Sequence, residues 1–218
     1  MKKEIFIAFI INVFLLSNCT PGCKMESLEI VTRNEWGAIE PNLQGSEEGL
    51  FDANSNLEGW LIYQEPLSKV LRTIVIHHSA LPISDGPQEI QSVHMSVRGY
   101  DDIAYHFVID AQGVIYEGRE LNVRGAHTGG FNTGSVGIVL LGNFEQTEPT
   151  DAQIDSLKKL SCSLREEYGL SHIAGHRDFQ PDITVCPGEN LYAVLPGIAG
   201  ELKMEYGTGG YVVPDQKP

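Results

Sequence analysis

Positively charged side chains are scarce in this sequence. Lysine and arginine together number 15, against 29 aspartates and glutamates, and the formal net charge is −14. A protein that binds nucleic acid needs a basic surface to contact phosphates, so this balance argues against a nucleic acid partner. Cysteine is scarce as well, because four in 218 residues are too few for a fold that depends on a framework of disulfides.

Long apolar runs are also missing. The longest, from Ile5 to Leu16, is interrupted by Asn12 and is too short to cross a bilayer as a helix. It follows Lys2 and Lys3, and this order is typical of the hydrophobic part of a signal peptide. With 42% hydrophobic and 20% charged residues, the chain has the composition of one globular domain, which excludes disorder and a multi-span membrane protein.

The residues after the apolar run predict processing at the N-terminus. Leu16-Ser17-Asn18-Cys19 resembles a bacterial lipobox, in which the cysteine becomes the lipidated first residue, although Asn18 departs from the small residue usual there. We therefore predict a signal peptide over residues 1–18, a tether over 19–29 and a lipid anchor at Cys19. The alternative is a plain cleaved signal that leaves Cys19 and Cys23 in an N-terminal tail. In either case we expect an exported monomer, periplasmic or membrane-anchored in a bacterial cell envelope.

Apolar periodicity predicts the fold class. Short β-branched runs that predict buried strands or a hairpin lie at residues 71–77, 104–109, 114–117 and 135–141. Helical spacing at Ile90, Val93 and Val97 predicts a helix that ends near Gly99, and Thr150 with Gln153 forms a capping box for a long amphipathic helix.

Together these elements predict a single α/β domain with a central mixed β-sheet of about five or six strands flanked by helices. We place this domain at residues 30–205, with an acidic insertion near 42–60 and a C-terminal tail at 206–218.

Three segments carry side chains suited to a metal. His77 ends a predicted strand, and because side chains alternate there, His77 and His78 point to opposite faces. His176 follows another strand-like stretch, and Cys186 lies ten positions later. Two histidines and a thiolate suit zinc and leave a fourth position for water. Ligands so far apart in sequence are weak evidence by themselves, and buried structural histidines with a buried thiol are the alternative.

Other candidate ligands have simpler structural interpretations. His94 shares a helix face with apolar residues, and His106 points away from Tyr105 on a strand, so both predict structural histidines. Cys162 lies off the apolar stripe of its predicted helix and has no motif around it. It is therefore predicted to be a free thiol.

Seven blocks of sequence together resemble one family. They are RNEWGAIEP (33–41), IVIHHSA (74–80), GYDDIAYHFVID (99–110), YEGR (116–119), GAHTGGFNTGSVGIVLLGNF (125–144), AGHRDF (174–179) and TVCPG (184–188). In this order they are similar to the zinc-dependent N-acetylmuramoyl-L-alanine amidases, particularly to the peptidoglycan recognition proteins and phage lysozyme-amidases. The resemblance extends from about Arg33 to Leu195 and implies the fold of peptidoglycan recognition proteins.

The resemblance also implies roles for individual residues. It makes His77, His176 and Cys186 zinc ligands and Tyr105 the catalytic tyrosine. Thr184 matches a position held by threonine in the animal proteins and by lysine in the phage enzymes. Members of the family that bind peptidoglycan without cleaving it typically lack the cysteine ligand, which is present here.

Substrate contacts are implied at four further positions. His127 and Asn132 fall in the block that lines the family's substrate groove. Arg119 and Arg124 are candidates to pair with a carboxylate of the stem peptide, since arginine binds carboxylates in a planar, bidentate way. Solvated surface arginines are the alternative for these two.

The resemblance implies hydrolysis of the amide between the lactyl group of N-acetylmuramic acid and the L-alanine of the peptidoglycan stem. Zn²⁺ would be the cofactor, and peptidoglycan or muropeptides the partner. The proton for the leaving amine has several candidate sources: Tyr105, Thr184, Glu117 or a water relay. The alternative function is a module that binds muropeptides without cleaving them.

Overall fold

The computed structural model describes residues 28–42, 60–209 and 211. The strands are β1 (Ile30–Val31), β2 (Thr73–His78), β3 (Phe107–Ile109), β4 (Ile115–Glu117), β5 (Ser135–Leu140), β6 (His172–Gly175) and β7 (Glu205–Tyr206). The helices are α1 (Arg33–Trp36), α2 (Leu67–Val70), α3 (Pro87–Ser92), α4 (Asp151–Tyr168), α5 (His176–Phe179) and α6 (Glu189–Glu201). The predicted signal peptide, most of the tether, nearly all of the acidic insertion and most of the predicted tail lie outside the described residues.

The strands form one mixed sheet in the order β1-β4-β3-β5-β2-β6-β7. Every pair is parallel except β3 with β4. The predicted α/β domain with a mixed sheet is confirmed. The sheet has seven strands rather than five or six, because β1 and β7 are two residues long and too short to show a periodic pattern.

The two central strands are the predicted apolar runs. All six residues of β2 and all six of β5 are buried, and the strands pair in parallel with Ile76 opposite Ile138 and His77 opposite Val139. A parallel strand covered on both faces is expected to be almost continuously apolar, and the exceptions in β2 are Thr73, His77 and His78.

The two faces of the sheet carry different side chains. Ile74 and Ile76 of β2 belong to the main apolar core, together with Leu157 and Leu160 of α4. We call this side the α4 face. Val75 packs in a separate small group, and His77 shares its side of β2 because side chains alternate along a strand. We call this second side the histidine face.

The hairpin and the long helix form where predicted. Gly113 in the β3–β4 turn has a φ of 81°, and Asp110 Oδ1 accepts the N–H groups of Gln112 and Val114. At the start of α4 the Gln153 N–H donates to Thr150 Oγ1 over 3.1 Å. The Thr150 N–H in turn donates to Gln153 Oε1 over 3.0 Å, which completes the capping box.

The helix predicted to stop near Gly99 continues beyond α3 as a π-helical segment, Val93–Val97. His94 lies in this segment and is buried, and its Nδ1 accepts the Ala104 N–H at 3.0 Å. His106 is buried too, and its Nδ1 accepts the Gly137 N–H while its Nε2 lies 3.0 Å from the Val123 carbonyl oxygen. Both predictions of structural histidines are confirmed.

The prediction of a free thiol at Cys162 is wrong. Cys162 is buried on α4 and is disulfide-bonded. Cys186 is the free cysteine of the described residues. The apolar pattern of a single helix carries no information about whether a cysteine on it forms a disulfide.

No helix within residues 28–42 and 60–209 is both long enough and apolar enough to cross a membrane.

The C-terminal end of the described chain returns to the sheet. Tyr206 of β7 pairs with Ile173, and the ring of Tyr211 packs against Phe131 and Phe179.

Candidate metal centre and active site

Three predicted ligands meet at one edge of the sheet. His77 lies at the end of β2, His176 follows β6 directly as the first residue of α5, and Cys186 lies in the loop between α5 and α6. Since β2 and β6 are parallel, with Ile76 opposite Gly175, their carboxyl ends bring both histidines to the same edge. The ligand atoms of the three residues all lie within 4.8 Å of one another. We call these three residues the ligand cluster.

The cluster is compact and shielded from solvent. Nδ1 of His77 lies 3.6 Å from Sγ of Cys186, and the ring centroids of His77 and His176 are 4.6 Å apart. His77 is 1% exposed and Cys186 8% exposed. The geometry therefore brings together residues that are up to 109 positions apart in the chain.

Burial favours the uncharged forms of the cluster side chains. Burial, reinforced by neighbouring histidines, holds the pKa of His77 well below its usual range, so this ring stays neutral. Burial also raises the pKa of the Cys186 thiol to about 12, although a backbone hydrogen bond from His78 acts in the opposite direction. A metal ion would replace the thiol proton, since a metal-binding cysteine must be deprotonated.

The donor set fits zinc. Two imidazoles and one thiolate are ligands of intermediate softness, and among the described residues the cluster has three members, the number typical of a catalytic zinc site. A structural zinc site would be expected to have a fourth protein ligand.

Tyr105 lies beside the cluster. Its ring centroid is 5.0 Å from that of His77 and 5.4 Å from that of His94. Burial, with a smaller contribution from Cys186, raises the pKa of Tyr105 above its usual range. The hydroxyl therefore stays protonated at neutral pH and can donate a hydrogen bond.

Thr184 is joined to the cluster through the backbone. Its Oγ1 accepts the Cys186 N–H at 3.1 Å. Since the oxygen accepts this bond, the hydroxyl hydrogen remains available for donation to another group. Thr184 therefore offers a second neutral hydrogen-bond donor next to Cys186.

The structure also brings His127 and Asn132 to the cluster. Nδ1 of His127 lies 3.1 Å from Nε2 of His77, and His127 is 5% exposed. Asn132 Oδ1 accepts the N–H groups of His127 and Thr128 at 2.8 and 2.7 Å. Both residues are thus held by the fold beside a ligand, and their contact with substrate stays a prediction.

Arg119 and Arg124 are not part of the cluster. Arg119 is 1% exposed, donates to the carbonyl oxygens of Ile103 and Arg124, and lies 4.7 Å from the ring centroid of Trp60. Arg124 is buried as well. Both side chains lie inside the protein, so neither is a solvated surface arginine. Their pairing with a stem carboxylate stays a prediction.

Gln180 is a site residue that sequence reasoning missed. Its Oε1 lies 2.8 Å from Nε2 of His176, and its amide nitrogen donates to the Gly129 carbonyl oxygen at 3.0 Å. The available signal was its spacing, because a residue four positions after His176 lies one helical turn away.

The segment around His176 is tied down by its charged neighbours. Asp178 accepts the Gly175 N–H and the hydroxyls of Tyr192 and Tyr206. The backbone N–H of Arg177 donates to the Cys186 carbonyl oxygen at 2.9 Å. These contacts favour a role for both residues in holding His176 and the loop that carries Cys186.

The comparisons with known proteins agree with this geometry. A family profile described as N-acetylmuramoyl-L-alanine amidase matches residues 67–189. Peptidoglycan-recognition protein SD of Drosophila melanogaster is 36% identical over 179 residues, which cover 76% of this chain and 83% of the relative. Its crystal structure superposes with a TM-score of 0.62 at 32% identity, over 78% of this chain and 94% of that one.

Two other similar solved structures are an amidase and a recognition protein in complex with a ligand. The N-acetylmuramoyl-L-alanine amidase LysC from Clostridium intestinale has a TM-score of 0.58 at 33% identity, covering 66% of this chain and 95% of its own. Peptidoglycan recognition protein LE in complex with tracheal cytotoxin, a monomeric diaminopimelic acid-type peptidoglycan, has a TM-score of 0.62 at 29% identity, covering 77% and 92%. The profile spans more than half of the chain, and the chain therefore belongs to the N-acetylmuramoyl-L-alanine amidase family, which its relatives show to include peptidoglycan recognition proteins.

Proposed function

We propose that this protein is a zinc-dependent N-acetylmuramoyl-L-alanine amidase. Its reaction would be hydrolysis of the amide between the lactyl group of N-acetylmuramic acid and L-alanine of the peptidoglycan stem peptide. The observation that carries the proposal is the complete ligand cluster with a protonated tyrosine beside it. Cys186 is the decisive member, because a third ligand makes a site that holds zinc firmly and still leaves a position free.

His77, His176 and Cys186 would hold the ion. A zinc ion in such a site supplies Lewis acidity and lowers the pKa of a water molecule to about 7. The protein contributes the shape and the dryness of the site, since two of the three ligands are almost fully buried.

Tyr105 would stabilise the charge that develops on the amide carbonyl oxygen. Its hydroxyl keeps its proton at neutral pH and is set beside His77, so it can donate to that oxygen without prior reorganisation. Thr184 would act as a second donor, because its oxygen already accepts the Cys186 N–H and its hydrogen is available.

The leaving alanine amine must receive a proton. Tyr105 and Thr184 are hydroxyl groups next to the cluster, whereas Glu117 accepts the backbone N–H of Arg33 in α1. This arrangement favours Tyr105 or Thr184, directly or through a water molecule, over Glu117.

A module that binds muropeptides without cleaving them is the alternative. The structure of recognition protein LE holds a monomeric peptidoglycan, which supports muropeptides or peptidoglycan as the ligand of this chain under either function. The three-ligand cluster favours the enzyme.

We also propose that the protein acts outside the cytoplasm, where its substrate lies. The apolar run before Cys19 supports export, and the lipobox-like residues support a lipid anchor at Cys19 as the sole membrane attachment of a monomeric periplasmic or membrane-anchored enzyme. Nine residues from Thr20 to Leu28 would then form a leash between the membrane and the domain.

One experiment separates the two functions. Zinc content of the purified protein is measured together with the release of stem peptides carrying a free L-alanine amine from purified peptidoglycan. The enzyme hypothesis predicts one zinc per chain and peptide release, and both are lost in Cys186→Ser. Stoichiometric zinc without any release would establish the binding module instead.

A further inference from the structure

We propose that Gln180 and His127 are positioning residues that determine which nitrogen of each cluster histidine faces the metal. The inference rests on the proposed function only in taking the ligand cluster as a metal site. It follows from the direction of the hydrogen bonds that surround the cluster, because each of these bonds can be followed outward to a backbone carbonyl.

For His176, the donor and the acceptor of the hydrogen bond with Gln180 can be assigned. A carbonyl oxygen can only accept, so the Gln180 group 3.0 Å from the Gly129 oxygen is the amide nitrogen. The amide oxygen then faces Nε2 of His176 at 2.8 Å. Since that oxygen can only accept, Nε2 carries the ring proton and Nδ1 keeps its lone pair for the metal.

A second path of hydrogen bonds, which begins at Ser135, determines which nitrogen of His77 carries the proton. Ser135 donates its hydroxyl hydrogen to the Phe131 carbonyl oxygen at 2.7 Å, so its oxygen accepts from Nε2 of His127 at 3.5 Å. Nδ1 of His127 is therefore an acceptor, and Nε2 of His77 at 3.1 Å and the Thr128 hydroxyl at 2.9 Å can both donate to it. Nδ1 of His77 keeps its lone pair and lies 3.6 Å from Cys186 Sγ.

Two glycines make room for the ring of His127. A Cβ added at Gly137, in the middle of β5, would lie 2.5 Å from Cδ2 of His127, and a Cβ at Gly125 would lie equally close. Glycine weakens a strand interior, and here it admits a ring against the backbone. The ring is thus held where its Nδ1 meets His77.

Both paths end in the same loop. The accepting carbonyls belong to Gly129 and Phe131, and the start of this loop is fixed by Asn132, which accepts two of its N–H groups. Residues 127–132 therefore set the orientation of both histidine ligands before any metal arrives. Removal of such an outer partner typically costs 10–100-fold in metal affinity, on the order expected from zinc enzymes.

The test compares two variants of Gln180. Gln180→Met removes the acceptor for His176, whereas Gln180→Glu retains one, and both lose the bond to Gly129. Zinc affinity is measured by competition with a chromophoric chelator, and ligand geometry by the absorption spectrum of the Co²⁺-loaded protein. We expect Gln180→Met to bind zinc about 10–100-fold more weakly with an altered cobalt spectrum, and Gln180→Glu to retain the wild-type spectrum and most of the affinity.

A parallel pair tests His127. Asparagine places an acceptor near the position of Nδ1, so His127→Asn is expected to retain more zinc affinity than His127→Leu. Thermal unfolding of the metal-free proteins shows that each variant is folded. Wild-type affinity and spectrum in Gln180→Met, or equal losses in Gln180→Met and Gln180→Glu, would overturn the proposal. Neither readout requires hydrolysis, so an inactive wild type that binds zinc would contradict only the proposed function.

Discussion

The two faces of the sheet use the same strands for different purposes. On β5, Val136, Ile138 and Leu140 point to the α4 face and join the main apolar core. The alternate residues, which point to the histidine face, are Ser135, Gly137 and Val139, and the first two of these are small. One face is filled with long apolar side chains, and the other leaves space for rings.

The difference shows where stability and chemistry come from in this domain. The α4 face buries apolar side chains, which is the main source of folding free energy. Around His127 the histidine face contains short side chains, and directed hydrogen bonds join His127 to His77 and Thr128. Substitutions on the first face should therefore change stability, and substitutions on the second should change metal binding.

The largest effect is expected in the ligand cluster. Cys186→Ser or His176→Ala should abolish hydrolysis and most zinc binding, because a site with two ligands holds zinc poorly. Metal analysis of the dialysed proteins measures this directly. Unchanged zinc content in both variants would contradict the ligand assignment.

A core substitution on the α4 face should separate stability from metal binding. Leu157 is fully buried, and Leu157→Ala should lower the free energy of unfolding by about 2–5 kcal/mol without changing the zinc affinity of the folded protein. Chemical denaturation and chelator competition measure the two quantities. Asp155→Ala, at an exposed position of the same helix, is the control. A weaker zinc site in Leu157→Ala would mean that the faces are coupled.

Tyr105→Phe tests the chemistry of the histidine face alone. The variant should keep its zinc and lower kcat by roughly ten- to a thousandfold, the range expected when one donor to the developing oxyanion is lost. Release of stem peptides at saturating substrate, with zinc content as the control, checks it. Equal turnover would remove Tyr105 from the mechanism.

Much of the fold could be predicted from local pattern. The runs that became β2 and β5, the Asp110 turn and the capping box at Thr150 carry their signals within a few residues. The two-residue edge strands carry none. Residue types alone made the ligand cluster a weak candidate, and the family resemblance strengthened it. His77 and His176 meet through the parallel pairing of β2 with β6, and spacing along the chain does not encode that pairing.

The hydrogen bonds of His127 and Gln180 to the cluster histidines were harder to predict from the sequence. His127 was predicted as a substrate contact, and its position against His77 depends on Gly137, which lies in another strand. Gln180 has no motif of its own. Both become visible only when distant segments are packed together.

Gly137→Ala should show how little space the histidine face allows. The added methyl group would overlap the ring of His127, so we expect a loss of about 1–3 kcal/mol in stability together with weaker zinc binding. Gly200→Ala in α6 is the matched control, because a Cβ there meets nothing within 4 Å. Both are followed by denaturation and chelator competition. Wild-type zinc affinity in Gly137→Ala would show that the ring can shift without consequence.

The smallest effect on activity is expected from the proposed lipid anchor. Cys19→Ala should move the protein from the membrane fraction to the soluble fraction and leave its specific activity unchanged, since the anchor does not contribute to the site. Cys23→Ser should remain in the membrane fraction. A wild-type protein that is fully soluble after lysis without detergent would refute the anchor and leave the proposed export intact.

The bonded sulfur of Cys162 has a consequence for where the protein can fold. Cytosolic thiols are kept reduced and disulfides are rare there, so the bonded sulfur supports the proposed export independently of the proposed signal peptide. An oxidising compartment also favours oxidation of a free thiol, and Cys186 must remain a thiol or thiolate to bind a metal. One chain thus needs one sulfur oxidised and another reduced. The burial of Cys186, which keeps oxidants away from its thiol, reconciles these two demands.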